Sequence, residues 1–196
     1  MLWDSTTGDC LRTFQGYKGH VASVAFSHDS TILASGSGDN TVKLWDSITG
    51  ECLRTFQGHK SFFTSVAFSH DSKILASGSS DKTIKLWDSA TDECLRTFQG
   101  HNSPIMSVAF SHDSTLLASG SGDHTIKLWD SATGECLYTL EAGGHELAFS
   151  HDSKLIAAGA GYDILLWDVS IVHDFVTSPC YQENLAVEQK KAAQSN

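Results

Sequence analysis

Apolar and polar positions alternate along this chain in runs of about five or six residues, and clusters of Ser, Asp, Gly and His separate the runs. From Phe63 to Phe68 the alternation places Val66 and Phe68 on one face. The turn Ser69-His70-Asp71-Ser72 follows, then a run from Lys73 to Gly78. A tight turn at Ser80-Asp81-Lys82 leads into the cleanly alternating run Thr83 to Trp87. Residues Ala90 to Glu93 turn again before the run Cys94 to Phe98. Period-two alternation is the signature of half-buried strands. The pattern therefore predicts a unit of four short antiparallel strands. Such a sheet cannot bury both faces alone, but stacking on copies of itself does so.

The copies are present. Trp-Asp pairs stand at Trp3, Trp45, Trp87 and Trp129, each 42 residues after the last, and a fifth follows at Trp167 after 38. Residues 10–51, 52–93 and 94–135 agree at about three quarters of positions. Fixed-period self-similarity of this size marks a repeat architecture.

The repeated elements are Gly58-His59 and Gly100-His101 before the first strand, Ser-Val-Ala-Phe-Ser, Leu-Ala-Ser-Gly-Ser, the turn Asp and the closing Leu-Trp-Asp. With these the chain resembles the WD-repeat (WD40) family over about residues 1–170. The resemblance implies an all-β fold of β-propeller blades, four antiparallel strands each, round a central channel. It places a partial blade at 1–14, holding the end of a third strand and a fourth strand. Blades follow at 15–57, 58–99 and 100–140, a degenerate blade at 141–176 and a tail at 177–196. Ile171 to Val176 is the candidate outer strand of the last blade. Asn184 to Ala193 has the composition of a short helix, too short to hold without packing.

The resemblance also implies a structural hydrogen-bond network of His, Ser, Asp and Trp in each blade. It falls on His59, Ser77, Asp81 and Trp87, and on His101, Ser119, Asp123 and Trp129. In the first blade Tyr17 stands in the histidine position beside Ser35, Asp39 and Trp45. In the last, Ala158 replaces the serine and Trp167 remains. The donor and acceptor inventory is consistent: an indole N–H only donates, a hydroxyl relays, and a carboxylate takes the remaining imidazole N–H. Ser, His and Asp together also invite a catalytic triad. A catalytic set is expected once, however, and this one recurs with a tryptophan inside it. No catalytic residue, metal ligand set or cofactor motif is assigned. The turn histidines His28, His70, His112 and His151 lie on different blades, which favours a turn role over a metal site. The Gly-rich strings lie in hairpins and lack the strand–helix context of a phosphate loop.

A net charge of −10 argues against direct nucleic-acid binding, which needs clustered Lys and Arg. No apolar run is long enough for a membrane-spanning helix, and Met1-Leu2-Trp3-Asp4 is not the start of a secretory signal. Four of the five cysteines, Cys10, Cys52, Cys94 and Cys136, are one repeat position copied, and are expected as small half-buried strand residues; Cys180 stands alone. Together these features predict a cytoplasmic protein and leave open peripheral association with an organelle membrane through partners.

Differences among the three best copies concentrate at 17–22, 59–64 and 101–106 and at the hairpin tips 38–40, 80–82 and 122–124. The resemblance places both loop sets on one face of the propeller. Tyr17, His20, Asn40, Lys60, Phe62, Thr64, Ser80, Lys82, Pro104, Met106 and His124 are the candidate contacts for a protein partner. Loops also drift faster than strands for no functional reason. Near-identical copies with variation on one face look like the repeat arrays of fungal NOD-like receptors of the vegetative-incompatibility type, where repeats sense ligands. Fungal WD-repeat adaptors of mitochondrial fission are another relative. The expected function is a protein-binding scaffold or adaptor; an enzyme with its site in the channel is the reading of a different class.

Four blades and a spare strand leave a ring incomplete. Three resolutions follow: a fragment of a longer protein, which is the preferred one, self-association of two copies into eight blades, or an open arc completed by another partner. Pairing of Cys10–Phe14 with the terminal blade is one available closure.

Overall fold

In the computed structural model the described residues are 1–143, 145–179, 181–182 and 185. The N-terminal strands β1 (Leu2–Trp3) and β2 (Cys10–Arg12) form a two-stranded sheet. Blade 1 holds β3 (Val21–Phe26), β4 (Ile32–Ser37), β5 (Val42–Asp46) and β6 (Cys52–Phe56). Blade 2 holds β7 (Phe63–Phe68), β8 (Ile74–Ser79), β9 (Ile84–Asp88) and β10 (Cys94–Phe98). Blade 3 holds β11 (Ile105–Phe110), β12 (Leu116–Ser121), β13 (Thr125–Asp130) and β14 (Cys136–Glu141). Blade 4 has three strands, β15 (Leu147–Phe149), β16 (Leu155–Ala160) and β17 (Asp163–Asp168), followed by the helix α1 (Ser170–Thr177). Every pairing is antiparallel, and the sheets form an open array rather than a closed ring. Cys10–Arg12 pairs with Leu2–Trp3 and not with the terminal blade.

The first strands of successive blades lie side by side, and the core sits between blades. Ala34, Val42, Leu44 and Phe56 of blade 1 meet Phe63, Val66, Leu75 and Trp87 of blade 2. Ala76, Ile84, Leu86 and Phe98 meet Ile105, Val108, Leu117 and Trp129 in the same way. Each buried Val, Leu, Ile or Phe side chain contributes about 1.5–3 kcal/mol, so stacking rather than any single sheet carries stability.

Three details depart from the repeat pattern. Phe63 pairs with Ser79 but Ser65 pairs with Gly78, so a bulge at Thr64 interrupts the alternation. It brings Phe63 and Val66 to one face, where strict period two would separate them. Residues 171–176 are not a strand: they belong to α1, because Val169 and Val176 are buried and Val172 packs beside them at helical spacing. The four repeated cysteines are exposed rather than half-buried, since each starts an outer strand at the rim. Cys180 and the proposed Asn184–Ala193 helix lie outside the described residues, apart from Leu185.

Candidate functional site

Each regular blade ties the loop before its first strand to the tip of its middle hairpin. In blade 2 the Trp87 indole N–H donates to Ser77 Oγ at 2.8 Å. Ser77 Oγ lies 3.0 Å from His59 Nε2, and His59 Nδ1 lies 2.9 Å from Asp81 Oδ2. The proton order that satisfies every atom is Ser77 donating to Nε2 and Nδ1–H donating to Asp81, which makes His59 neutral. Burial holds His59 below the ordinary imidazole range, against the pull of Asp81. Blade 3 repeats this: Trp129 to Ser119 at 2.8 Å, Ser119 to His101 at 2.8 Å and His101 to Asp123 at 3.0 Å. Burial depresses His101 as well.

The carboxylates hold more than imidazole. Asp81 accepts the Lys60 N–H at 2.7 Å, the Thr83 hydroxyl at 2.6 Å and the Thr83 N–H at 3.0 Å. Asp123 accepts the same set from Asn102 and Thr125. Burial alone would raise both acids, but these hydrogen bonds outweigh it and hold them below the usual carboxylate range. Thr41, Thr83 and Thr125 are thus members of the network that the repeat comparison missed. Their signal was Asp-x-Thr in every regular copy.

Blade 1 solves the same problem with other atoms. The Tyr17 hydroxyl donates to the Ser35 carbonyl at 2.6 Å and lies 2.6 Å from Ser35 Oγ, which also takes the Trp45 N–H at 2.7 Å. Asp39 keeps Lys18 N–H and Thr41. Tyr17 is therefore a half-buried network residue, its ring packed edge-on against Trp45. In blade 4 Ala158 offers no side-chain acceptor and Trp167 is half-buried.

The Ser77 and Ser119 hydroxyls are shut off from solvent. Ser77 and Ser119 are fully buried, each held between an indole and an imidazole. Among the described residues no three His, Cys, Asp or Glu side chains are grouped as metal ligands.

The variable loops and hairpin tips meet on one rim. Gly38 N–H donates to the His20 carbonyl, Ser80 N–H to Phe62 and Gly122 N–H to Pro104, at 2.8, 3.1 and 3.0 Å. His20, Asn40, Lys60, Phe62, Lys82, Pro104, Met106 and His124 are exposed there, and His20 and Phe62 of adjacent blades lie with ring centroids 6.4 Å apart. Thr64 and Ser80 are half-buried instead; the Thr64 hydroxyl, at the bulge, is buried and has no hydrogen-bond partner among the described residues.

On the opposite rim the turn histidines come together, although each belongs to a different blade. Ring centroids of His28 and His70, His70 and His112, and His112 and His151 are 4.0, 4.0 and 3.9 Å apart. Stacking the units stacks the turns. Desolvation, with the neighbouring imidazoles, lowers His112.

The WD domain, G-beta repeat family matches residues 8–46, 50–88 and 92–130. Each matched stretch begins with the outer strand of one blade and ends with the third strand of the next. The chain is also similar to the Periodic tryptophan protein 2 homolog of Schizosaccharomyces pombe, 42% identical over 43 residues. That similarity spans 22% of this chain and only 5% of the fission-yeast protein.

Proposed function

The chain belongs to the WD40 family, and from that premise we propose that it is a non-catalytic protein-binding scaffold whose contacts lie on the rim formed by residues 17–22, 59–64 and 101–106 with the hairpin tips. Members of this family are in general protein-interaction domains. The observation that carries the reading is the confinement of variation. A framework nearly identical from copy to copy holds up one rim where the residue changes at equivalent positions: His20, Phe62, Pro104 and Asn40, Lys82, His124. Exposed Phe62 and Met106 are the residue types that anchor interfaces. The burial of Ser77 and Ser119 supports binding over hydrolysis. Work as the recognition part of a larger fungal-type protein, in the cytoplasm, is the finer form of this proposal; it rests on the near-identity of the copies.

A photo-crosslinking amino acid placed at Phe62 or Met106, with Ile48 on the opposite rim as control, tests the reading in extract. The expected result is a discrete crosslinked protein from the first two sites and none from Ile48. Equal labelling from both rims, or hydrolytic turnover by the purified chain, contradicts it.

A further inference from the structure

We propose that a hollow beside the variable rim of blade 2 binds an anionic side chain of a protein partner, a carboxylate or a phosphoryl group, between the ammoniums of Lys60 and Lys85. Blade 1 repeats the site with Lys18 and Lys43. That the anion comes from a protein rests on the role proposed for the rim above.

The hollow measures about 280 Å³ and is lined by Lys60, Asp81, Thr83, Lys85, Thr97 and Gln99. Three parts of the blade bring these together. Lys60 comes from the variable loop, Asp81 and Thr83 from the hairpin tip, and Lys85 and Thr97 are cross-strand partners on β9 and β10. Strand parity sends Ile84 and Leu86 into the core and leaves Lys85 half-buried on the other face. Its ammonium lies 5.9 Å from the Trp87 ring centroid. Blade 2 packs against a full blade on each side, and the hollow persists in that setting.

The hollow has cationic donors to spare and no acid free to answer them. The Lys85 ammonium donates to the Thr97 hydroxyl at 2.8 Å, with Cys94 Sγ 3.8 Å away. Neither Lys60 nor Lys85 belongs to an ion pair among the described residues. An ammonium can donate three hydrogen bonds, so both heads keep unused N–H groups. Asp81 lines the same space, but its oxygens are already engaged. Oδ2 accepts from His59 and the Lys60 N–H, and Oδ1 accepts the Thr83 N–H and hydroxyl. Two ammoniums thus face one carboxylate, in a chain whose net charge is −10. Drawing an ammonium partly out of water costs free energy, and a charge-assisted hydrogen bond offsets it. The donors left over, two ammoniums and the Gln99 amide, call for oxygen acceptors, and an anionic group supplies several at one point.

The copies differ at this place in charge. Blade 1 has a hollow of about 300 Å³ lined by Lys18, Asp39, Thr41, Lys43, Thr55 and Gln57, and Lys43 donates to Thr55 at 2.9 Å. Blade 3 keeps Lys127 on Thr139 at 2.9 Å. There, however, Asn102 replaces Lys60 and Glu141 replaces Gln99. One cation is lost and one acid gained, so blade 3 is an internal control that should not bind.

Nuclear magnetic resonance titration of the full chain with three capped tripeptides tests this. The central residue is phosphoserine, glutamate or serine, flanked by glycines. The amide signals of Thr55 and Thr97 are expected to move saturably with the two anionic peptides and not with the uncharged one, while Thr139 stays in place. Comparison of the two anionic peptides tells phosphoryl from carboxylate. Lys85→Gln is expected to weaken binding at Thr97 about tenfold or more, the loss of one hydrogen bond to a charged group, and to leave Thr55 unaffected. Lys85→Arg retains binding. Lys60→Gln, at an exposed position that circular dichroism should not register, gives the same loss as Lys85→Gln. No saturation with either anionic peptide, equal shifts from the uncharged one, equal shifts at Thr139, or parent affinity in both glutamine variants overturns the proposal. Crosslinking at Phe62 reads the rim separately. A partner captured there while the peptides fail removes the anion site alone; bound peptides with no captured partner remove the rim reading and leave the anion site standing.

Discussion

The Tyr17 hydroxyl lies 2.6 Å from Ser35 Oγ, in the place that a histidine Nε2 takes against serine in blades 2 and 3. The blade keeps its tryptophan anchored although its histidine is gone. Tyr17→Phe leaves that buried serine with one partner fewer and is expected to cost about 1–3 kcal/mol. Tyr17→His restores the contact to Asp39 and is expected to stay within about 1 kcal/mol of the parent. Urea denaturation of the three proteins reads the difference, and equal loss in both variants contradicts it.

Ser77 accepts from Trp87 and donates to His59, so Ser77→Ala orphans an indole N–H and an imidazole nitrogen at once. The expected loss is about 2–4 kcal/mol, with the same for Ser119→Ala. A loss under 0.5 kcal/mol, as expected of a surface serine, would show that the network does not hold the blade.

Acid should lower the stability of the array over two pH windows. His59 and His101 have folded pKa values depressed by burial, so the unfolded chain binds protons more readily. Their contribution is complete above about pH 6.5 and is lost as pH falls from there through the folded values. Asp81 and Asp123 are depressed by their hydrogen bonds, which outweigh burial. Their contribution is present above about pH 3.9 and is lost as pH falls through the folded values. Tm should therefore fall below about pH 6.5, and fall further below about pH 4. A Tm flat or rising from pH 7 to 5 contradicts the neutral, buried histidines.

Gly78→Ala puts a methyl 2.5 Å from Ile105 Cγ2, whereas Gly159→Ala meets open space. The first is expected to cost about 1–3 kcal/mol by forcing blades 2 and 3 apart. The second should stay within about 0.5 kcal/mol of the parent. Thermal unfolding compares them, and equal costs would argue against the blade junction described.

Much of this was legible in the sequence because the repeat states it several times. Trp45, Trp87 and Trp129 lie 42 residues apart, and they occupy one buried position in three blades. Thr64 was expected among the rim contacts because the copies differ there, and difference between copies does not report burial at a bulge that residue type alone does not announce. Residues 171–176 were read as a strand by analogy with other blades, although Val169, Val172 and Val176 recur at helical spacing. The histidine column lay hidden because each ring's neighbour is about forty residues away. Only the stacking of equal positions brings them together. The period itself was that signal.

The central claim is that the variable rim carries the contacts while the framework only supports it. Quantitative affinity capture with the parent chain and with a variant carrying Lys60→Ala, Phe62→Ala, Pro104→Ala and Met106→Ala tests this most directly. All four residues are exposed, so Tm should be unchanged within a few degrees. The account predicts that partner recovery falls about tenfold or more. Recovery of the same partner at the parent level by the folded variant would contradict it.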